Sequence, residues 1–146
     1  MIDQRTAPYA ALLLRVSLGV MFIAHGLLLK VFTFTVPGTV GFFESLGYPG
    51  FFAYLVILGE IGGGLALILG AYTRVVSLLL LPIMIGATLQ HVGAGWMFSN
   101  PGGGWEFPVF WIVALVVQAL LGSGAWALRP ETLFTTLAPA PSRLAR

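Results

Sequence analysis

The stretch GFFAYLVILGEIGGGLALILGA, Gly50 to Ala71, decides how this chain is read. It runs for 22 residues with a single charge, Glu60, and about 20 mostly apolar residues are what an α-helix needs to cross a bilayer. No period-2 alternation is sustained, and the run is twice the length of a barrel strand, so a helix is expected. Three more stretches of this kind lie around it. Ala11 to Phe32 is interrupted by Arg15, His25 and Lys30. Val75 to His91 is short and carries Pro82 mid-span, where the missing N–H predicts a kink. Phe107 to Leu128 has Pro108 in its first turn, where proline is best tolerated. The expected fold is all-α: an integral membrane bundle of four transmembrane helices within residues 1–128, followed by a cytoplasmic tail, 129–146.

Composition supports this. The chain has 146 residues, 58% hydrophobic and 8% charged, with a mean hydropathy of +0.97. A soluble domain carries about 25% charged residues. A chain this poor in charge cannot cover a water-facing surface, so its outside faces lipid. The net charge of +2 comes from basic residues mostly at the ends and in one tight turn, unlike the clustered Lys/Arg of a nucleic-acid footprint. With no cysteine, disulfides, thiolate metal sites and iron–sulfur ligation by this chain are excluded. The first apolar run exceeds the ~7–15 residues of a signal-peptide core and lacks a small-residue cleavage site. It is expected to stay as an anchor.

The connections set the topology. Tyr72-Thr73-Arg74 is tight, so the second and third helices should be antiparallel neighbours. Between Thr33 and Pro49, turn signals at Val36-Pro37-Gly38 and Gly47-Tyr48-Pro49-Gly50 flank an amphipathic stretch, Thr39 to Leu46, expected to lie at the membrane surface. Ser99 to Gly104 predicts a flexible loop. Four spans put Arg5, Arg74, Arg129, Arg143 and Arg146 on one side, and Lys30, Glu44 and Glu106 on the other. The positive-inside rule makes the arginine side cytoplasmic, with both termini there. Tyr9, Tyr72 and Trp126 then fall at the inner interface, and Tyr48, Tyr54, Trp96 and Trp105 at the outer one. In a bacterium this is the inner membrane.

Ionisable groups within a span are costly and mark function by default. At ~1.5 Å per residue, Arg15 lies roughly 6 Å from the inner end of its helix and His25 roughly 10 Å from the outer end. Glu60 lies near the midplane, roughly 15 Å deep. His91 and Glu106 close and open their helices at the outer face. A pocket opening outward would therefore collect His25, Glu60, His91 and Glu106. Glu60 shares a stripe with Ala53, Val56, Gly63, Gly64 and Ala71, small residues that favour close helix approach, so it should point into the bundle. Arg15, Gly19, Phe22 and Gly26 form a comparable stripe with His25 at its edge, as do Ala114, Gln118, Gly122 and Ala125.

Each polar residue also has a plain structural reading. Arg15 either snorkels to the inner headgroups or pairs inward. Lys30, near a helix end, is expected to snorkel outward. Glu60 with His25 is either a hydrogen-bonded structural pair or a proton relay. Solvation alone accounts for His91 and Glu106. Axial haem ligation by the two histidines is not expected, since their depths differ by most of 10 Å. No Glu-x-x-His metal pattern, phosphate loop or Ser/His/Asp arrangement is visible.

The ordered set of these residues resembles the DoxX family of small bacterial membrane proteins. The likeness is carried by Leu14-Arg15, His25-Gly26 and Lys30; by Gly41-Phe42-Phe43 and Leu46-Gly47-Tyr48-Pro49; and by Glu60 with Gly63-Gly64. Gly70, Thr73-Arg74, His91, Asn100, Gly104 with Glu106, Leu121-Gly122 and Trp126 continue it, over roughly residues 10 to 128. Ala127-Leu128-Arg129 departs from the Ser-Leu-Asp of many relatives. The resemblance implies a four-helix membrane protein with recurrent polar positions at Arg15, His25, Glu60, His91 and Glu106. Relatives include the quinone-facing DoxD subunit of a thiosulfate:quinone oxidoreductase and members linked to oxidative-stress and thiol-redox complexes.

The leading expectation is a membrane subunit or accessory of a redox system, in contact with other membrane or peripheral redox proteins and able to homo-oligomerise. It would bind a quinone or another small apolar ligand, with no covalent cofactor and no metal. His25 and Glu60 would do the proton chemistry, and Arg15, Lys30, His91 and Glu106 would contact the ligand. A non-catalytic scaffold is the alternative. A transporter has less support, because no inverted repeat or paired broken helices are detectable.

Overall fold

The computed structural model describes residues 3–128. The expected tail, with Arg129, Arg143 and Arg146, lies outside the described residues. Among those described there is no strand, and the long apolar runs are all helical.

The first run is helical from Ala7 to Thr33, but it changes winding partway. Helix α1 covers Ala7–Ile23 and continues without a break into a π-helix, Ala24–Thr33. There the backbone N–H bonds to the carbonyl five residues back, as Phe34 N does to Leu29 O at 2.7 Å. Long π segments are rare and gather at functional sites. A short helix α2, Val36–Ser45, follows, its start capped by the Thr35 side chain, which accepts from Gly38 N. This is the expected surface helix, begun three residues early because Pro37 suits a first turn.

Helix α3, Phe51–Leu69, is stopped by Gly70, whose φ of 71° a side chain would resist. Helix α4, Thr73–His91, runs unbroken through Pro82 and tightens into a 3₁₀ turn, Val92–Ala94. Helix α5, Glu106–Leu121, starts where expected but ends seven residues before Leu128. The reason is local: Gly122 and Gly124 take φ of 83° and 69° and turn the chain back.

Three helical stretches are long and apolar enough to cross a membrane: Ala7–Thr33, Phe51–Leu69 and Thr73–Ala94. Helix α5 is apolar but has 16 residues, ~24 Å against a ~30 Å hydrocarbon core. Residues 122–128 turn back onto the bundle, and their irregular backbone is partly satisfied within the protein: Ala125 N donates to Pro8 O at 2.9 Å and Leu128 N to Leu69 O at 3.1 Å. These bonds bring the start of α1, the end of α3 and the end of α5 to one end of the bundle, here the Arg15 end. The opposite, Lys30 end carries α2 and the loop between α4 and α5.

Helices α1 and α3 cross closely because each presents a glycine to the backbone of the other. A Cβ on Gly19 would lie 2.6 Å from Gly64 O, and one on Gly64 2.8 Å from Gly19 O. Without a hydrophobic drive between helices in lipid, such backbone proximity is what binds them. Leu18, Phe22, Leu67, Leu80, Met84, Trp111, Ala114 and Leu115 form the apolar core.

Candidate functional site

Glu60 is a carboxylate inside the bundle, 4% exposed. Its position on α3 faces the π-helix, where Gly26 leaves room: a Cβ there would meet the Glu60 Cβ at 2.9 Å. The carboxylate is neutralised by Lys30, whose Nζ lies 2.8 Å from each oxygen, with the hydrogen bond going to Oε1. Lys30 therefore does not snorkel outward as expected. A π turn takes more residues than an α turn, so it advances less per residue and keeps Lys30 near the level of Glu60. Both ions are largely out of water, the Lys30 side chain 20% and that of Glu60 5% exposed, so pairing is what makes either tolerable. The ammonium is thus shared between both oxygens of the carboxylate.

His25 is the residue before Gly26, which packs against Glu60. Its Nδ1 is 3.0 Å from Met21 O, and a carbonyl can only accept, so Nδ1 carries the hydrogen. In that tautomer Nε2 carries the lone pair and can accept. The ring stands edge-on to Trp111, centroids 4.9 Å apart, and Trp111 packs against Phe22 at 4.7 Å. Trp111 is 4% exposed, yet its indole N–H has no partner among the described residues. Four side chains from three helical elements thus assemble a paired cation, an oxygen and an imidazole nitrogen able to accept, and a buried donor.

Trp111 was not among the expected site residues, because it sits in the apolar run Phe107 to Leu128. The signal was there: it lies one turn before Ala114 on the stripe through Gln118. Thr73 and Ser77, both buried, were likewise unmarked.

The remaining expected residues lie elsewhere. His91 Nδ1 bonds to Gly102 O at 3.0 Å. Glu106 accepts from Phe98 N at 2.8 Å. Both hold the α4–α5 loop, which Asn100 Nδ2 to Ala94 O and Trp105 N to Gly95 O also tie down. A cleft of about 440 Å³ opens there, lined by Trp96, Phe98, Glu106, Phe107 and Phe110 among others, but not by His25, Glu60 or His91. The four polar groups expected in one pocket are thus divided between two places. Arg15 is at the opposite end. It is 1% exposed, so it does not reach the headgroups, and its Nη2 donates to Ala125 O at 3.2 Å and Trp126 O at 3.5 Å.

Comparison with known proteins agrees with the resemblance read from the sequence. The DoxX family model matches residues 10–94. A Bacillus subtilis (strain 168) protein named "Putative oxidoreductase CatD" is 37% identical over 120 residues, 82% of this chain and 84% of that protein. "Inner membrane protein YqjF" of Escherichia coli (strain K12) is 51% identical over 41 residues, 28% of this chain and 32% of its own length. No solved structure matches. With the family model covering more than half of the sequence and a relative aligned along most of its length, the chain belongs to the DoxX family.

Proposed function

We propose that this membrane protein serves a membrane redox system by binding a quinone-like ligand beside Glu60. The observation that carries the reading is the buried Trp111 N–H, without a partner among the described residues, beside His25 and the buried Lys30–Glu60 pair. Buried polar atoms are rarely left unpaired. The reduced ring, a quinol, would donate a hydroxyl to His25 Nε2 or the Glu60 carboxylate, and an oxygen of the ring in either redox state would accept from the Trp111 N–H. His25 and Glu60 are also the groups able to give and take protons there, as quinone reduction requires two protons with two electrons. The electrons would come from a partner oxidoreductase. The name of the Bacillus subtilis relative points toward redox work.

In this reading the protein sits in a bacterial inner membrane with its termini cytoplasmic. Arg5 and Arg74 stand at the Arg15 end and Glu44 and Glu106 at the other, as the positive-inside rule asks. Quinone binding and turnover in the native complex, compared between wild type and Glu60→Gln, test it. Both should fall sharply in the variant. Unchanged binding and turnover would contradict the proposal.

A second reading also has an observation behind it. Lys30 and Glu60 already neutralise each other, so the pair can serve simply to clamp the π-helix to α3 in a scaffold subunit. Co-purification in mild detergent separates the two. A partner fully active without this chain favours the scaffold.

A further inference from the structure

At the Arg15 end, six buried side-chain atoms have no hydrogen-bond partner among the described residues: Arg15 Nε and Nη1, Thr73 Oγ1, Ser77 Oγ, Gln118 Oε1 and Ser123 Oγ. They are not scattered. Arg15 Nη1 packs directly on Gly70, three residues before Thr73. Ser77 lies one turn beyond Thr73 on the same face of α4. Gln118 Nε2 donates to Gly122 O at 2.7 Å, beside Ser123. A Cβ on Gly122 would come within 3.1 Å of the side chain of Arg74, the neighbour of Thr73. The turned segment 122–128, held by Arg15, closes the end.

These groups make an uneven demand. Arg15 offers only donors and cannot lose its proton. Gln118 Oε1 only accepts. Helical Ser and Thr commonly bond the carbonyl four residues back, but the hydroxyls of Thr73 and Ser77 do not. Arg15 Nη2 and Gln118 Nε2 already donate to backbone carbonyls, but none of the six remaining atoms bonds another, so a third group would have to stand between them. An apolar fragment would leave all six unsatisfied. An anion would suit Arg15 but face the Gln118 oxygen. Water both donates and accepts, and a buried water typically makes 2–4 such bonds.

We infer that the Arg15 end encloses a cluster of bound waters bridging Arg15, Thr73, Ser77, Gln118 and Ser123. Leu18, Phe22, Leu67, Leu80 and Leu115 form a dry layer between it and the Glu60 site. The bundle then has two polar compartments with an apolar barrier between, and Glu60 exchanges protons through the Lys30 end alone. The inference stands whether or not a ligand binds at Glu60.

Water-to-protein polarisation transfer in solid-state NMR, on the full chain in lipid bilayers, tests this without altering the protein. The Gln118 side-chain amide, Arg15 Nε and the Cβ signals of Thr73 and Ser77 should build up as early as that of exposed Ser99. Leu67 and Leu115 should lag. Build-up at the four polar residues as late as at Leu67 overturns the inference. So does an Arg15 Nε shift that follows replacement of chloride by nitrate, which would mark an anion instead. In Gln118→Leu the early build-up at Thr73 and Ser77 should be lost, and its retention counts against the bridging arrangement.

Discussion

Gly26 stands directly opposite Glu60, and the hydrogen it has in place of a side chain is what admits the carboxylate between the π-helix and α3. A Cβ at Gly26 would meet the Glu60 Cβ at 2.9 Å and the backbone of Ile61 at 3.3 Å. Gly26→Ala should therefore push the two elements apart. Thermal unfolding in detergent should show a loss of about 1–3 kcal/mol, typical of an overpacked contact. An unchanged midpoint would mean that the crossing is looser than described.

Lys30 and Glu60 are better removed together than singly. Lys30→Met leaves a buried carboxylate and Glu60→Leu a partly buried ammonium. Breaking a buried pair costs about 3–5 kcal/mol, at the lower end here because Lys30 keeps some exposure. The double variant should recover most of that loss. A double-mutant cycle with coupling near zero would show that the two charges do not support each other.

Trp111→Phe separates packing from hydrogen bonding. The ring contacts with Phe22 and His25 are largely kept, and the lost N–H bonds to no described residue. Stability should change by less than about 1.5 kcal/mol, as for conservative core swaps. Affinity for a quinone-like ligand, measured by equilibrium titration, should drop about tenfold, the worth of one hydrogen bond. Equal affinity in both proteins would remove Trp111 from the site.

Arg15 acts at the other end, as the tie for residues 122–128. Arg15→Met removes two hydrogen bonds from a charged donor to the Ala125 and Trp126 carbonyls, at about 1.5–3 kcal/mol each. Limited proteolysis near Gly124 should speed up markedly. Gly70→Ala should act in the same direction, since a side chain there collides with the Arg15 guanidinium and resists the left-handed backbone. Wild-type cleavage rates in both variants would contradict this role.

Much of the fold was legible because lipid imposes simple demands. The long apolar runs, the tight turn at Tyr72-Thr73-Arg74 and the inward facing of Glu60 all follow from length, hydropathy and the small residues around Gly64. The end of α5 was legible in principle. Gly122-Ser123-Gly124 is a breaker, but the apolar residues beyond it disguised the turn. The π-helix was not, because i→i+5 winding leaves no mark in composition or in a 3.6-residue period. That change in winding set Lys30 against Glu60 instead of at the surface. Trp111 was hidden for another reason: one more aromatic in an apolar helix is unremarkable until His25 is placed against it.

Native mass spectrometry of the full chain released from lipid nanodiscs tests the central claim most directly. The account predicts that the wild type carries a retained quinone-like molecule, or takes up added short-tailed quinone one to one, that Glu60→Gln emerges bare, and that Trp111→Phe retains clearly less than the wild type. A bare wild type that takes up no quinone, or equal retention by all three proteins, would contradict it.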